Sequence, residues 1–170
     1  MSYVIGQIIG GVAFCLSLTA YHRKTKEKIL GNMILSNIMN VLHYLLIDAN
    51  TGFITKIVAI LRDSFIILKN KNKKIPSNLF LGLFFVIYGI IAICTYTNLW
   101  SLFPVIAATI YLIPVWNGNE VTVKRIAFVC YILWLIYNIF VFSIPGIISN
   151  TISIISTFIA VYNAQKKIKE

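Results

Sequence analysis

Acidic and imidazole groups are scarce in this 170-residue chain: five Asp and Glu and two His, against fifteen Lys and Arg. The sequence contains no HExxH or GxSxG motif. No cluster pairs histidine with carboxylates at metal-ligand spacing, so hydrolytic and metal-dependent catalysis have no seat in it. We therefore expect neither enzymatic activity nor a cofactor. The three cysteines, Cys15, Cys94 and Cys130, show no CxxC pairing and read as small packing residues rather than as a disulfide or metal framework. There is no ATP-binding motif. Polar stretches long enough for a soluble domain are missing as well. No basic region precedes the segment from Tyr3 to Tyr21, so it reads as a first membrane span rather than a cleavable signal.

What the chain has in excess is apolar sequence. Hydrophobic residues make up 59% and the mean hydropathy is +0.85, where soluble domains hold about 45–50% apolar residues. They come in seven blocks, about Tyr3 to Tyr21, Ile29 to Ile47, Phe53 to Leu68, Leu79 to Tyr96, Leu99 to Trp116, Arg125 to Phe142, and Ile147 to Tyr162. Blocks near the length that spans about 30 Å of hydrocarbon are expected to be helices, because backbone groups in lipid must be satisfied within the segment. The fourth and fifth are separated only by Tyr96, Thr97 and Asn98 and are expected as two spans with a tight turn.

The charges check this count. Arg23, Lys24, Lys26 and Lys28 fill the first gap, Lys69, Lys71, Lys73 and Lys74 the third, and Lys124 and Arg125 the fifth, while Lys166, Lys167 and Lys169 sit in the tail. The even gaps hold no basic residue. The positive-inside rule then predicts an N-terminus outside and a cytoplasmic C-terminus. The +10 net charge thus reads as topology and attraction to anionic lipid, not as a nucleic-acid footprint.

Sliding the chain by 94 positions lays the first three blocks on the last three. Gly52 falls on Gly146, Ala13 on Ala107, Leu18 on Leu112, Ile54 on Ile148, Ile60 on Ile154, Lys73 on Lys167, and His43-Tyr44 on Tyr137-Asn138. With one span between them, both triplets run in the same direction across the membrane. The expected fold is an all-α polytopic protein of seven transmembrane helices in a 3+1+3 parallel repeat. Residues 1–75 form the first bundle, 76–97 the linker helix, and 98–170 the second bundle with the basic tail.

Polar residues inside the blocks locate a candidate site. Asn37, Asn40, His43 and Tyr44 share one face of the second block, Lys56, Arg62 and Asp63 mark the third, and Asn150, Ser153 and Thr157 form a stripe on the seventh. Asn37, Ser153 and Thr157 also fit interhelical hydrogen bonding. Arg and Asp at a helix centre each cost about 2.5–3.5 kcal/mol on an insertion scale, against about 0.3–0.6 kcal/mol gained per large apolar residue. The third helix is therefore expected to face a polar interior. Asp63, pointing about 100° away from its neighbour Arg62, is not the expected partner. Trp116 reads as an interfacial anchor and Trp134 as a surface for a ligand ring. Pro104, falling on Gly10 in the 94-residue slide, suggests matched kink points. The candidate substrate-binding residues are Asn40, His43, Lys56, Arg62, Trp134, Tyr137, Asn138 and Asn150.

These segments carry a resemblance. GQIIGGVAF with Gln7, HYLL with His43, Gly52, AILR ending in Arg62, and LFPVIAATI with Pro104 together resemble the YgjV-type bacterial inner membrane proteins. That implies a location, the bacterial inner membrane, rather than an activity. The layout also resembles SWEET and PnuC-like PQ-loop transporters, whose sites use Asn on the third and seventh helices and aromatics on the second and sixth. Asn150, Trp134 and Tyr137 match in kind, whereas Lys56 departs from that pattern. The resemblance implies a small-molecule carrier. Arg62 and Lys56 suggest a small polar or anionic substrate. The alternative is a structural or sensory membrane protein that binds a partner or lipid. Expected partners are membrane lipids and the substrate, with self-association into a homo-oligomer left open and nucleic acid not expected.

Overall fold

The computed structural model describes residues 1–21, 26–71, 77–117 and 120–169. Arg23, Lys24, Lys73 and Lys74 of the basic gaps lie outside these residues. Within them the chain forms seven α-helices and no strand: α1 Ser2–Tyr21, α2 Lys26–Leu46, α3 Asn50–Lys71, α4 Ser77–Cys94, α5 Leu102–Asn117, α6 Glu120–Phe140 and α7 Ile144–Lys169. Each apolar block is thus one helix. The fourth and fifth are indeed separate, divided by a short 3-10 turn at Leu99–Ser101. Asn98 caps that turn, its side chain accepting from the Ser101 amide at 3.1 Å. Pro104 follows in the first turn of α5, where a missing amide hydrogen costs nothing. It is therefore not a kink point; Pro114 is the proline inside the helix.

Two stretches, Ser2–Thr19 and Leu99–Asn117, are long and apolar enough by themselves to cross a membrane. Asn78–Cys94, Arg125–Phe140 and Ile144–Ile159 are shorter apolar helices. α3 falls short because Lys56, Arg62 and Asp63 interrupt it.

The helices are apolar outward and polar inward. On α7, Ile148, Ile152, Ile155 and Ile159 form an exposed stripe, while Ser153 and Thr157 are buried. Leu35, Ile38, Leu42 and Leu45 do the same on α2, and Leu79, Leu83, Val86, Ile90 and Ile93 on α4. A helix on a water-soluble protein shows the reverse distribution, with its apolar stripe toward the core. A continuous apolar exterior of this extent calls for lipid or a partner.

Helix neighbours fall into two groups. α2 packs between α1 and α3, and α6 between α5 and α7. The groups meet where α1 touches α7 and α3 touches α5, while α4 lies against α3 and α5. The main apolar core, with Ile66, Tyr88, Leu112 and Trp116, lies among α3, α4 and α5. Trp116 is buried there, its ring stacked on Phe65 at 5.5 Å between centroids, and is not a boundary anchor.

The turns that lead into α3 and α7 are built alike. Asp48 (φ 57°) and Phe142 (φ 51°) are the two non-glycine residues with left-handed backbone among those described. Each closes a Schellman cap. The Ala49 amide donates to the Tyr44 carbonyl at 2.9 Å and that of Asp48 to Leu45 at 3.3 Å. Ser143 donates to Asn138 at 2.9 Å and Phe142 to Ile139 at 3.3 Å. Every atom pair in the first cap recurs 94 residues later in the second.

Candidate functional site: a polar cavity between two helix triplets

Between the two groups lies a cavity of about 450 Å³, lined by residues of α1, α2, α3, α5, α6 and α7 but not of α4. That volume falls within the range of small-molecule sites. Small residues open the space: Gly10 and Ala13 on α1, Ala59 on α3, Ala107 and Ala108 on α5, and Ala127 on α6. Two of these helix contacts are matched. The Ser36 hydroxyl donates to the Ala13 carbonyl at 2.8 Å, and the Cys130 thiol to the Ala107 carbonyl at 3.3 Å.

Among the described residues, charge enters the cavity from α3 alone. Lys56 and Arg62 are the two charged residues in its lining. The Arg62 guanidinium pairs with Asp63, Nε and Nη2 both at 2.8 Å from Oδ1, and lies 5.4 Å from the centre of the Tyr111 ring. The expectation that Asp63 would not reach Arg62 is thereby corrected. Neighbouring Cβ atoms do diverge, but the long arginine stem carries its planar head back to the carboxylate. The second Asp63 oxygen, Oδ2, is buried without a hydrogen-bond partner, as are the Thr55 and Tyr88 hydroxyls. Lys56 has no ion-pair partner among the described residues. Its ammonium instead lies 4.0 Å from the centre of the Trp134 ring, a cation–π contact.

Of the eight residues singled out by sequence, Asn40, Lys56, Arg62, Trp134 and Asn150 line this cavity. Asn40 Nδ2 donates to the Ser36 carbonyl at 3.1 Å, and Asn150 Nδ2 to the Gly146 carbonyl at 2.7 Å. His43, Tyr137 and Asn138 are outside the lining. They form a hydrogen-bonded layer that joins the two groups beside the capped turns. His43 Nδ1 lies 2.7 Å from the Gly6 carbonyl and Nε2 2.7 Å from the Ser143 hydroxyl. The Gly6 carbonyl can only accept, so the Nδ1–H tautomer follows and Nε2 accepts from Ser143. Tyr44 donates to Asn138 Oδ1 at 2.9 Å, and the Gly52 amide donates to the Tyr137 hydroxyl at 2.9 Å. Gln7 and Tyr3 extend the layer, both donating to the Phe142 carbonyl, at 2.9 and 2.8 Å.

This layer is tightly built. A Cβ on Gly52 would come within 3.0 Å of both the Tyr137 and Tyr44 rings, and one on Gly146 would run into Asn138 and Ser143. Tyr44 belongs to both regions, since its ring also borders the cavity and stacks 5.9 Å from Trp134.

Sequence reasoning missed Thr55 and Tyr111 in the lining. Thr55 is seven residues before Arg62 and so shares its face, a usable signal. Tyr111 carries none, being one more aromatic in an apolar block.

No curated protein and no solved structure matches the chain. A family model described as bacterial inner membrane protein, Imp-YgjV, matches residues 4–168. A match of that extent, on a helical chain with its apolar residues outward, places the chain in the YgjV family of bacterial inner membrane proteins.

Proposed function

We propose that this protein is a small-molecule carrier of the inner membrane. Its seven helices cross the bilayer in a 3+1+3 arrangement, with the N-terminus outside and the C-terminus in the cytoplasm. The α1–α3 and α5–α7 triplets are parallel repeats and α4 links them. The observation that carries the reading is the cavity, which lies between the triplets and holds Lys56 and Arg62 at its wall. The 94-residue recurrence of caps and helix contacts supports the repeat. Charges within a membrane are costly and mark pathways far more often than packing. Parallel repeats with a site at their interface are also a known carrier design.

In this reading the cavity is the substrate site, and the Tyr44–Asn138 layer closes its outer end. The substrate is small and polar or anionic. The carrier works by facilitated diffusion or ion-coupled exchange and has no catalytic step. One observation favours a second reading, a non-transporting structural or sensory protein: Arg62 already holds a carboxylate partner.

The test is uptake of a metabolite mixture into proteoliposomes, read by mass spectrometry. Protein-dependent accumulation of a defined set of solutes supports the carrier. Uptake equal to that of empty liposomes, from correctly folded protein, overturns it in favour of the second reading.

A further inference from the structure

The cavity wall is chemically lopsided. Lys56, Arg62 and Thr55 come from α3, whereas the facing α7 supplies Ser149, Asn150 and Ser153. Arg62 is neutralised by Asp63, and among the described residues no other charged side chain borders the space, so one formal positive charge remains there, on Lys56. Its ammonium lies against the π face of Trp134. A cation–π contact is worth about 0.5–2 kcal/mol, less than a desolvated hydrogen bond between ammonium and carboxylate, which is among the stronger polar contacts. The ammonium is therefore held by something an anion would displace.

The carboxamides add a second restriction. Asn40 and Asn150 each give their NH2 group to a backbone carbonyl one turn earlier. A carbonyl only accepts, so these bonds fix the amide orientation and leave Oδ1 of each available to a ligand, together with the second N–H of the Asn150 amide, while Asn40 Nδ2 also lies 3.5 Å from the Ser36 hydroxyl. Two acceptors, one with a donor beside it, suit hydroxyl groups, which both donate and accept. Thr55 lies at the cavity wall, but its unpartnered hydroxyl is buried away from the space.

We infer that the cavity binds a small hydroxylated monocarboxylate, its carboxylate on Lys56 and its hydroxyls on the amide groups of Asn40 and Asn150. This rests on the carrier reading only in sharing its cavity; binding is required, transport is not. A dicarboxylate brings one charge too many, a neutral amide or sugar leaves Lys56 unused, and a zwitterion sets an ammonium against it.

The test is thermal unfolding of the purified protein in detergent with a panel of probes. Lactate, glycerate and gluconate are compared with lactamide, alanine and malate. Bound ligand raises the midpoint by mass action. The three hydroxy acids are expected to stabilise the protein and the other three to do so at least about tenfold more weakly: lactamide lacks the charge-assisted bond, alanine sets an ammonium against Lys56, and malate carries a second carboxylate without a cation. Lys56→Met is expected to abolish the shift and Lys56→Arg to retain most of it. The wild-type selectivity is informative even where a variant folds poorly. The inference is overturned by no shift with any hydroxy acid, by equal shifts with the amide, amino acid or dicarboxylate, or by an unaltered response in Lys56→Met. Binding without uptake in proteoliposomes would spare this inference and overturn the carrier reading.

Discussion

The α1–α3 and α5–α7 helices match in a capped turn and one helix contact and differ in what they present to the space between them. Asp48 and Phe142 adopt the same left-handed turn, and Ser36 and Cys130 make the same contact to Ala13 and Ala107. The 94-residue register sets Lys56, Ala59, Arg62 and Asp63 on α3 against Asn150, Ser153, Ser156 and Thr157 on α7; of these, Asp63 and Ser156 lie outside the cavity lining. Backbone geometry and small-residue contacts are set by steric needs that both triplets have in common. The polar wall has no such constraint, so one side can be cationic and the other neutral. A charged pocket of one sign follows, rather than a two-fold symmetric site.

The largest expected effect comes from breaking the Arg62–Asp63 ion pair of α3. Asp63→Asn leaves the Arg62 charge buried and unpaired, and is expected to destabilise the protein by about 3–5 kcal/mol, measured by thermal denaturation in detergent. The double variant Arg62→Met/Asp63→Leu should return to within about 1 kcal/mol of the parent, because an apolar pair of similar volume replaces a buried ion pair at little net cost. The matched substitution Thr157→Leu on α7 should have a far smaller effect.

Next in size is the pair of glycines. Gly146→Ala is expected to cost about 1–3 kcal/mol through overpacking, since its Cβ meets Asn138 and Ser143. Gly52→Ala should cost less, because the Tyr44 and Tyr137 rings can shift by a few tenths of an ångström. Equal losses would argue against the packing difference.

A smaller loss is expected from Tyr137→Phe, which leaves the buried Gly52 amide without its partner. About 1–3 kcal/mol is the usual cost of an unsatisfied buried donor, with water entry from the cavity side favouring the lower end. The smallest effect separates the two turns. Phe142→Gly should stabilise by up to about 1 kcal/mol, since a bulky residue in left-handed backbone is strained by about 1–2 kcal/mol, an amount glycine's greater chain entropy partly cancels. Asp48→Gly should gain less, because aspartate tolerates that region. A larger gain at Asp48 would contradict the account of these caps.

The helices were legible because long apolar blocks and gap charges are independent signals that agree. The cavity was partly legible, since Asn40, Lys56, Arg62, Trp134 and Asn150 are polar or aromatic residues where apolar ones are the default. His43, Tyr137 and Asn138 went to the closing layer instead. Periodicity gives the angular position of a side chain on its helix, not its depth, and both regions occupy the same angle at different heights. The Arg62–Asp63 pair was hidden for a related reason. Helical geometry locates Cβ atoms, whereas the arginine head is several bonds beyond and can double back.

The central claim is that a water-accessible polar space separates two apolar-coated triplets. Thiol labelling tests it most directly. Cysteines are placed singly at Asn150, Ser153 and Thr157, and at Ile148, Ile152 and Ile155 on the same helix, in a background without Cys15, Cys94 and Cys130. A membrane-impermeant maleimide is then added to inside-out vesicles. The account predicts rapid labelling at the first three positions and little at the isoleucine positions. Labelling of the isoleucine stripe as fast as the polar one, or of neither, would contradict it.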